Sequence, residues 1–135
     1  MRTRSLFFLI FTVLIVMSLG CGNNVKIRGK VTFSDDQSPL TVGQVTFRND
    51  TILARGTLKP DGTYVLGTLK EKDGIPKGTY NVTIADAHEL ILQESQNKKS
   101  LPTPVMRQLI VPPKDLTFVV DGKQKVFNIE VERAK

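Results

Sequence analysis

Apolar and polar residues alternate in short runs along most of the chain after residue 24. The first run, Val25 to Phe33, places an apolar side chain at every second position, which is the period of a half-buried β-strand. Clusters such as Ser34 to Pro39 separate the runs, because proline, aspartate and glycine favour tight turns. The runs are 25–33, 42–48, 52–58, 63–66, 79–84, 105–111, 116–120 and 125–132. The pattern predicts an all-β fold, an antiparallel β-sandwich of seven or eight strands.

Residues 85–104 interrupt this alternation. Asp86 and Glu89 have the spacing of a capping box, which predicts a short helix that continues through Leu92. Pro102 and Pro104 prevent any regular continuation. We therefore expect a surface excursion with at most two helical turns. Together with residues 67–78 it is the longest irregular stretch and a natural contact surface.

The N-terminal segment has a different pattern. Arg2 and Arg4 precede the apolar run Leu6 to Leu19, and Gly20 and Cys21 follow it. Fourteen residues of helix span about 21 Å, which is short of the roughly 30 Å hydrocarbon core, so the run is typical of a secretory signal. A plain signal cut after Gly20 and an uncleaved anchor are the alternatives for such a run.

The residues Leu19-Gly20-Cys21 resemble the lipobox of bacterial lipoproteins, although Ser18 stands where that motif usually has leucine. The resemblance implies that residues 1–20 are a signal peptide and that Cys21 carries a lipid. Residues 21–24 are then a lipidated tether and residues 25–135 the folded domain. The location implied is the cell envelope, on a membrane and facing the periplasm or the cell surface.

Charge and cysteine content limit the possible partners. Residues 21–135 contain 17 Lys and Arg against 13 Asp and Glu, without a basic block. The densest cluster, Lys26 to Lys30, fits either a solvated strand face or attraction to anionic lipid headgroups. No interleaved aromatic platform accompanies it, so nucleic acid is not an expected partner. Cys21 is the only cysteine, which excludes a disulfide within the chain.

Several segments resemble carboxypeptidase regulatory-like domains, a family of transthyretin-like (prealbumin-like) sandwiches. The similar segments are Ile27 to Val31, Leu40 to Phe47, Leu58 to Tyr64 and Ile75 to Ile84. The resemblance implies a transthyretin-like sandwich of the kind found in exported lipoproteins of planctomycete-type bacteria, and it implies no fixed activity. In these motifs we expect Gly62 to supply a turn and Gly29 to mark either a bulge or a close backbone approach. We expect Tyr64 and Tyr80 to lie over the end of the core.

The chain offers few groups for catalysis. His88 is the only histidine and is expected in a solvated loop, so a histidine zinc site within the chain is excluded. No GxSxG motif accompanies it. Aspartates in turns are the ligand type that calcium uses, but they lack calcium-loop spacing and fit turn formation better: Asp35, Asp36, Asp61, Asp73 and Asp121.

The sequence favours a membrane-anchored, non-enzymatic binding or structural module, with Cys21 as its lipidation site. We expect no catalytic residue, no metal ligand and no cofactor. The expected partners are membrane lipid through Cys21 and an envelope protein or glycan. A carbohydrate-binding accessory domain is the main alternative, although the chain has no tryptophan to stack on a sugar. A hydrolase with an unusual site is a third possibility.

Overall fold

The structure is a computed structural model that describes residues 23–93 and 101–135. The predicted signal and Cys21 lie outside the described residues. Ten strands occur in the described part: β1 Arg28–Phe33, β2 Gln44–Arg48, β3 Leu53–Thr57, β4 Thr63–Val65, β5 Gly78–Ala85, β6 His88–Gln93, β7 Thr103–Gln108, β8 Ile110–Val111, β9 Thr117–Val120 and β10 Ile129–Arg133. None of the residues in these two ranges forms a helix long and apolar enough to cross a bilayer.

The strands form two four-stranded sheets and one two-stranded ribbon. The sheet orders are β4-β1-β10-β8 and β3-β2-β5-β9, and β6 pairs with β7. The predicted all-β sandwich is confirmed, with ten strands in the described residues instead of seven or eight. The prediction that all pairs are antiparallel is wrong at one place, because β1 and β10 pair in parallel, with Val31 opposite Ile129. The chain leaves β9 at the end of the sandwich where β1 also begins, so β10 runs in the same direction as β1.

The core lies between the two four-stranded sheets. Alternate residues of each strand point inward, and four aromatic rings occupy the centre. Phe47 makes edge-to-face contacts with Phe118 and Phe127, at centroid distances of 5.9 and 6.0 Å. Tyr80 lies 6.3 Å from Phe47 on another side. Aromatic pairs in these geometries add to the stability that burial of apolar area provides.

Both tyrosines are buried in the core, as predicted. Tyr64 has no exposed surface, and its hydroxyl donates to the carbonyl oxygen of Phe127 at 2.7 Å. Tyr80 donates to the carbonyl oxygen of Pro76 at 2.8 Å. Burial raises the pKa of both phenols, since the charged form would lose its hydration. Each ring therefore packs like an apolar side chain while its polar atom is satisfied by the backbone.

Two glycines have the roles that the sequence predicts. Gly62 adopts a φ of 78°, a backbone conformation that side chains with a Cβ rarely occupy. A Cβ on Gly29 would lie 1.8 Å from the carbonyl oxygen of Phe127, so two backbones approach each other there. The close approach brings that carbonyl within reach of the Tyr64 hydroxyl.

The helix predicted after Asp86 is wrong. Residues 88–93 form β6, which pairs with β7 from His88 opposite Gln108 to Gln93 opposite Thr103. Asp86 has a φ of 55°, which is outside the helical region, and it turns the chain sharply between β5 and β6. Pro104 lies inside β7, which is tolerated because each strand of a two-stranded ribbon has a free edge. Pairing of β6 with the distant strand β7 therefore outweighed the local capping-box pattern of Asp86 and Glu89.

The sandwich has two distinct ends. Val25 and Ile75 exchange backbone hydrogen bonds of 2.8 and 2.9 Å close to Gly78, the first residue of β5. We call this the near end, since residues 21–24 would leave from it. β5 runs for eight residues to Ala85, which corresponds to about 23 Å at strand rise. The ribbon of β6 and β7 begins beyond Ala85, at the opposite or far end.

Candidate functional site

The ribbon of β6 and β7, which we call the arm, is the main feature outside the sandwich. It extends the chain beyond the core, and every residue of β7 is exposed. Opposite residues of a strand pair point to the same face. The pairs on one face are His88 with Gln108, Leu90 with Met106, and Leu92 with Pro104, and those on the other are Glu89 with Arg107, Ile91 with Val105, and Gln93 with Thr103.

One face of the arm carries an exposed apolar strip. We define the apolar strip as Leu90, Leu92, Pro104 and Met106. Leu90 is 67% exposed, Leu92 69% and Met106 59%. An isolated two-stranded ribbon is at best marginally stable in water. Burial of the apolar strip against another surface would therefore stabilise the arm. The apolar strip is therefore a candidate interaction surface.

The base of the arm is fixed to the sandwich. Ala87 is buried, and its carbonyl oxygen accepts a hydrogen bond from the amide of Leu109 at 2.9 Å. The carbonyl oxygen of Leu109 in turn accepts from the amide of Ala134 at 3.0 Å. These bonds hold the strand that enters the arm beside the strand that leaves it. The base of the arm is therefore fixed at the far end of the sandwich.

The charged residues of the described arm neutralise each other. Glu89 and Arg107 face each other across the two strands and form an ion pair. No other Asp, Glu, Lys or Arg occurs in β6 or β7. The described arm thus combines zero net charge with the apolar strip.

His88, expected in a solvated loop, is instead the first residue of β6 and is half-buried. It borders a hollow at the base of the arm, together with Met106 and Gln108. Within residues 23–93 and 101–135, no group of three or more His, Cys, Asp or Glu side chains is close enough to hold a metal ion. The hollow lies against the base of the arm, and the imidazole of His88 is on its rim.

The turn aspartates cap their own loops. Asp73 accepts hydrogen bonds from the amides of Thr68, Leu69 and Lys70, at 2.6, 3.1 and 3.1 Å. Asp61 accepts from the amide and hydroxyl of Thr63. Such hydrogen bonds favour the ionised form and lower the pKa of both carboxyl groups. The same arrangement recurs at Asp36 and at Asp121. These carboxylates therefore stabilise turns.

Aromatic rings are not available as an exposed stacking surface in the described residues. Phe33, Phe47, Phe118, Tyr64 and Tyr80 are buried. The guanidinium of Arg133 covers the Phe33 ring at 3.8 Å, and its other contacts are ion pairs with Asp35 and Asp36. Phe127 is half-buried against the core. Sugar recognition by ring stacking therefore has no platform in this part of the chain.

Comparison with family models, curated proteins and solved structures gave no match for this chain. The candidate site therefore rests on the geometry alone. Sequence reasoning predicted a contact surface over residues 85–104 and missed that residues 88–93 and 103–108 pair as the two strands of the arm. The usable signal was the run Ile91-Leu92 before the two prolines and Val105-Met106 after them, whose apolar residues match in register. Cys21, the predicted lipidation site, lies outside the described residues.

Proposed function

We propose that the chain is a lipid-anchored, non-enzymatic binding module of a bacterial cell envelope, and that its arm binds a partner protein. The observation that carries the proposal is the position of the apolar strip. The strip lies at the far end of the sandwich, while the predicted tether leaves from the near end. A module attached through Cys21 would thus present the arm away from its own membrane.

The anchor part of the proposal rests on the sequence. A basic start, a short apolar run and Leu19-Gly20-Cys21 are the elements of a lipoprotein signal. Two or more acyl chains give stable membrane attachment, whereas one gives only marginal binding. We include in the proposal that the sandwich is transthyretin-like, as the segments around Tyr64 and Tyr80 suggest.

The partner part rests on the chemistry of the arm. The ion pair between Glu89 and Arg107 leaves β6 and β7 without net charge, so attraction between charges on these two strands and on a partner would not select that partner. Burial of Leu90, Leu92 and Met106 would provide the main driving force, at about 25 cal/mol per Å² of apolar area. The free edges of β6 and β7 offer backbone hydrogen bonds to an added strand, and Pro104 lacks an amide hydrogen, so β6 is the better template. A protein with an apolar surface or an extended strand meets both requirements.

A carbohydrate-binding role is less well supported. Sugar-binding surfaces on sandwiches rely on exposed aromatic rings, and the rings in the described residues are buried or half-buried in the core. We therefore place an envelope protein before a glycan as the partner of the arm.

Site-specific photocrosslinking in cells tests the arm. A benzophenone amino acid replaces Leu92 or Met106 on the arm, and replaces Leu53 on the outer face of β3 as the control. Leu53 is 42% exposed and lies toward the near end. We expect both arm positions to crosslink to the same envelope protein, identified by mass spectrometry, and the control position not to do so.

A second change separates specific capture from chance contact. The substitution Leu90→Ser should abolish the crosslink from position 92 without lowering the amount of protein in the membrane. Crosslinking only between copies of this chain would show that the arm mediates self-association and would overturn the partner assignment. Absence of any product from both arm positions would contradict a binding role for the arm.

A further inference from the structure

Three segments that are distant in the sequence meet around Val25 at the near end. The Asn24 side-chain amide donates to the carbonyl oxygen of Asp73 at 3.4 Å, beside the hydrogen bonds between Val25 and Ile75. A Cβ placed on Gly122 would lie 3.8 Å from Val25 Cγ2 and 3.3 Å from Lys77 Cε. Residues 24–26, 73–77 and 121–125 therefore form one continuous surface, which we call the near-end surface.

The near-end surface is rich in lysine. Its four lysines, all exposed, are Lys26, Lys77, Lys123 and Lys125. Within residues 23–93 and 101–135 the ion pairs are formed by Arg107 and Arg133, and none of these lysines takes part. The ammonium groups are therefore free to meet an external anion.

The acidic residues at this end do not cancel that charge. Asp73 and Asp121 are the two carboxylates in the three segments, and both accept backbone hydrogen bonds within their own turns. The neighbouring turn between β2 and β3 adds Arg48 and Asp50, which balance each other. Four lysines against two carboxylates leave a net charge of +2. Half of the net charge of +4 that residues 21–135 carry is thus concentrated at one end.

The predicted tether would keep this surface close to a bilayer. Cys21 precedes Asn24 by three residues, which span at most about 11 Å when fully extended. The electrostatic screening length is about 8 Å at physiological ionic strength. A lipid on Cys21 would therefore hold the lysines nearest to Asn24 within about one to two screening lengths of the anionic headgroups.

We propose that the near-end surface binds the anionic lipid headgroups of the membrane that holds Cys21, so that the sandwich stands with its arm directed away from that membrane. The inference rests on the lipid anchor proposed above and adds an orientation that a flexible tether alone would not give. Each basic residue at a bilayer surface strengthens attraction about fivefold. Removal of three lysines should therefore reduce the headgroup-bound population about 100-fold.

Energy transfer on vesicles measures this orientation. The chain contains no tryptophan, so one introduced tryptophan is a unique reporter. Val126→Trp places the reporter next to Lys125 at the near end, and Val42→Trp places it just before β2, whose Gln44 pairs with Ala85 at the far end. The full chain recovered from membranes is incorporated into phosphatidylcholine vesicles carrying dansyl headgroups, with or without about one third phosphatidylglycerol.

We expect phosphatidylglycerol to increase transfer from the near-end reporter, in Val126→Trp, but not from the far-end reporter, in Val42→Trp. At about 500 mM salt, where screening shortens to about 4 Å, the increase should disappear. Adding Lys77→Gln, Lys123→Gln and Lys125→Gln together should also remove it. The matched control adds Lys59→Gln, Lys114→Gln and Lys135→Gln, which removes the same charge outside the near-end surface and should keep the increase.

Equal transfer from the near-end reporter on neutral and anionic vesicles would overturn the proposal. An equal loss of the phosphatidylglycerol-dependent increase in both triple variants would overturn it as well. Failure of the anchor is a separate result, because the chain would then be recovered without lipid. In that case the same comparison is made by sedimentation with the two kinds of vesicle. Salt-sensitive sedimentation with anionic vesicles alone would support the near-end surface, and equal partition would refute it.

Discussion

The close approach of two backbones at Gly29 gives the sharpest prediction about stability. In Gly29→Ala the added methyl group would lie 1.8 Å from the carbonyl oxygen of Phe127 and 2.8 Å from Cε1 of Tyr64. Ordinary contacts require about 3.5 Å, so the segment around Phe127 must move by about 1.5 Å. The hydrogen bond from the Phe127 amide to the carbonyl oxygen of Arg28, now 2.9 Å, cannot survive that movement unchanged.

The expected cost follows from these contacts. Overpacking of a well-packed site costs about 1–3 kcal/mol. Weakening the Tyr64 hydroxyl bond to Phe127 adds about 1 kcal/mol, because both groups are then poorly satisfied. We therefore expect Gly29→Ala to lower the free energy of unfolding by about 3 kcal/mol. For a domain of this size that corresponds to a fall in Tm of about 12 °C.

Urea unfolding of the full chain in mild detergent, followed by circular dichroism, measures this change. The control is Lys30→Ala, an exposed position on the same strand, which should change stability by less than about 0.5 kcal/mol. A second variant, Tyr64→Phe, should cost about 1–2 kcal/mol and, combined with Gly29→Ala, less than the sum of the two. A loss below about 1 kcal/mol in Gly29→Ala would refute the close approach.

Three further predictions concern titration and the arm. Because the pKa of Asp73 is lowered, its ionised carboxylate stabilises the fold at neutral pH, and this stabilisation is lost as pH falls below about 4. Asp73→Asn should therefore flatten the acid side of a Tm–pH profile. The raised pKa of Tyr64 and Tyr80 favours the fold below about pH 10 and less above it; ultraviolet titration should show both phenols ionising only as the chain unfolds. Leu90→Ser and Leu92→Ser should each change Tm little, since both side chains are mostly exposed, while removing the arm crosslinks.

The strands of the sandwich were predictable because each buries alternate residues. Every one of the eight predicted runs contains a strand, and the burial of Val45 and Phe47 on β2 follows the alternation directly. The run 105–111 is divided between β7 and β8 at Leu109, where the chain passes from the arm to a sheet. Period-2 burial is a local property of the sequence, so it identified strands without any knowledge of their partners.

The arm and the parallel pair were not predictable in the same way. Asp86 to Leu92 has the local features of a capped helix, and only pairing with Thr103 to Gln108 makes it a strand. Likewise, Val31 pairs with Ile129, almost a hundred residues later, and local alternation does not specify direction or partner. The near-end surface is formed by loops that are distant in the sequence. The sequence pattern therefore indicated only one of its residues in advance, Lys26.

Intact-mass analysis of the chain from the membrane fraction tests the central claim most directly. The lipid-anchored module requires a chain that has lost residues 1–20 and carries a diacylglycerol on the sulfur of Cys21. Treatment with a thiol reagent should then leave the chain unlabelled, because Cys21 is its only cysteine and the lipid blocks the sulfur. A chain that retains residues 1–20, or one whose Cys21 thiol is free and labelled, would contradict the lipid anchor and the orientation built on it.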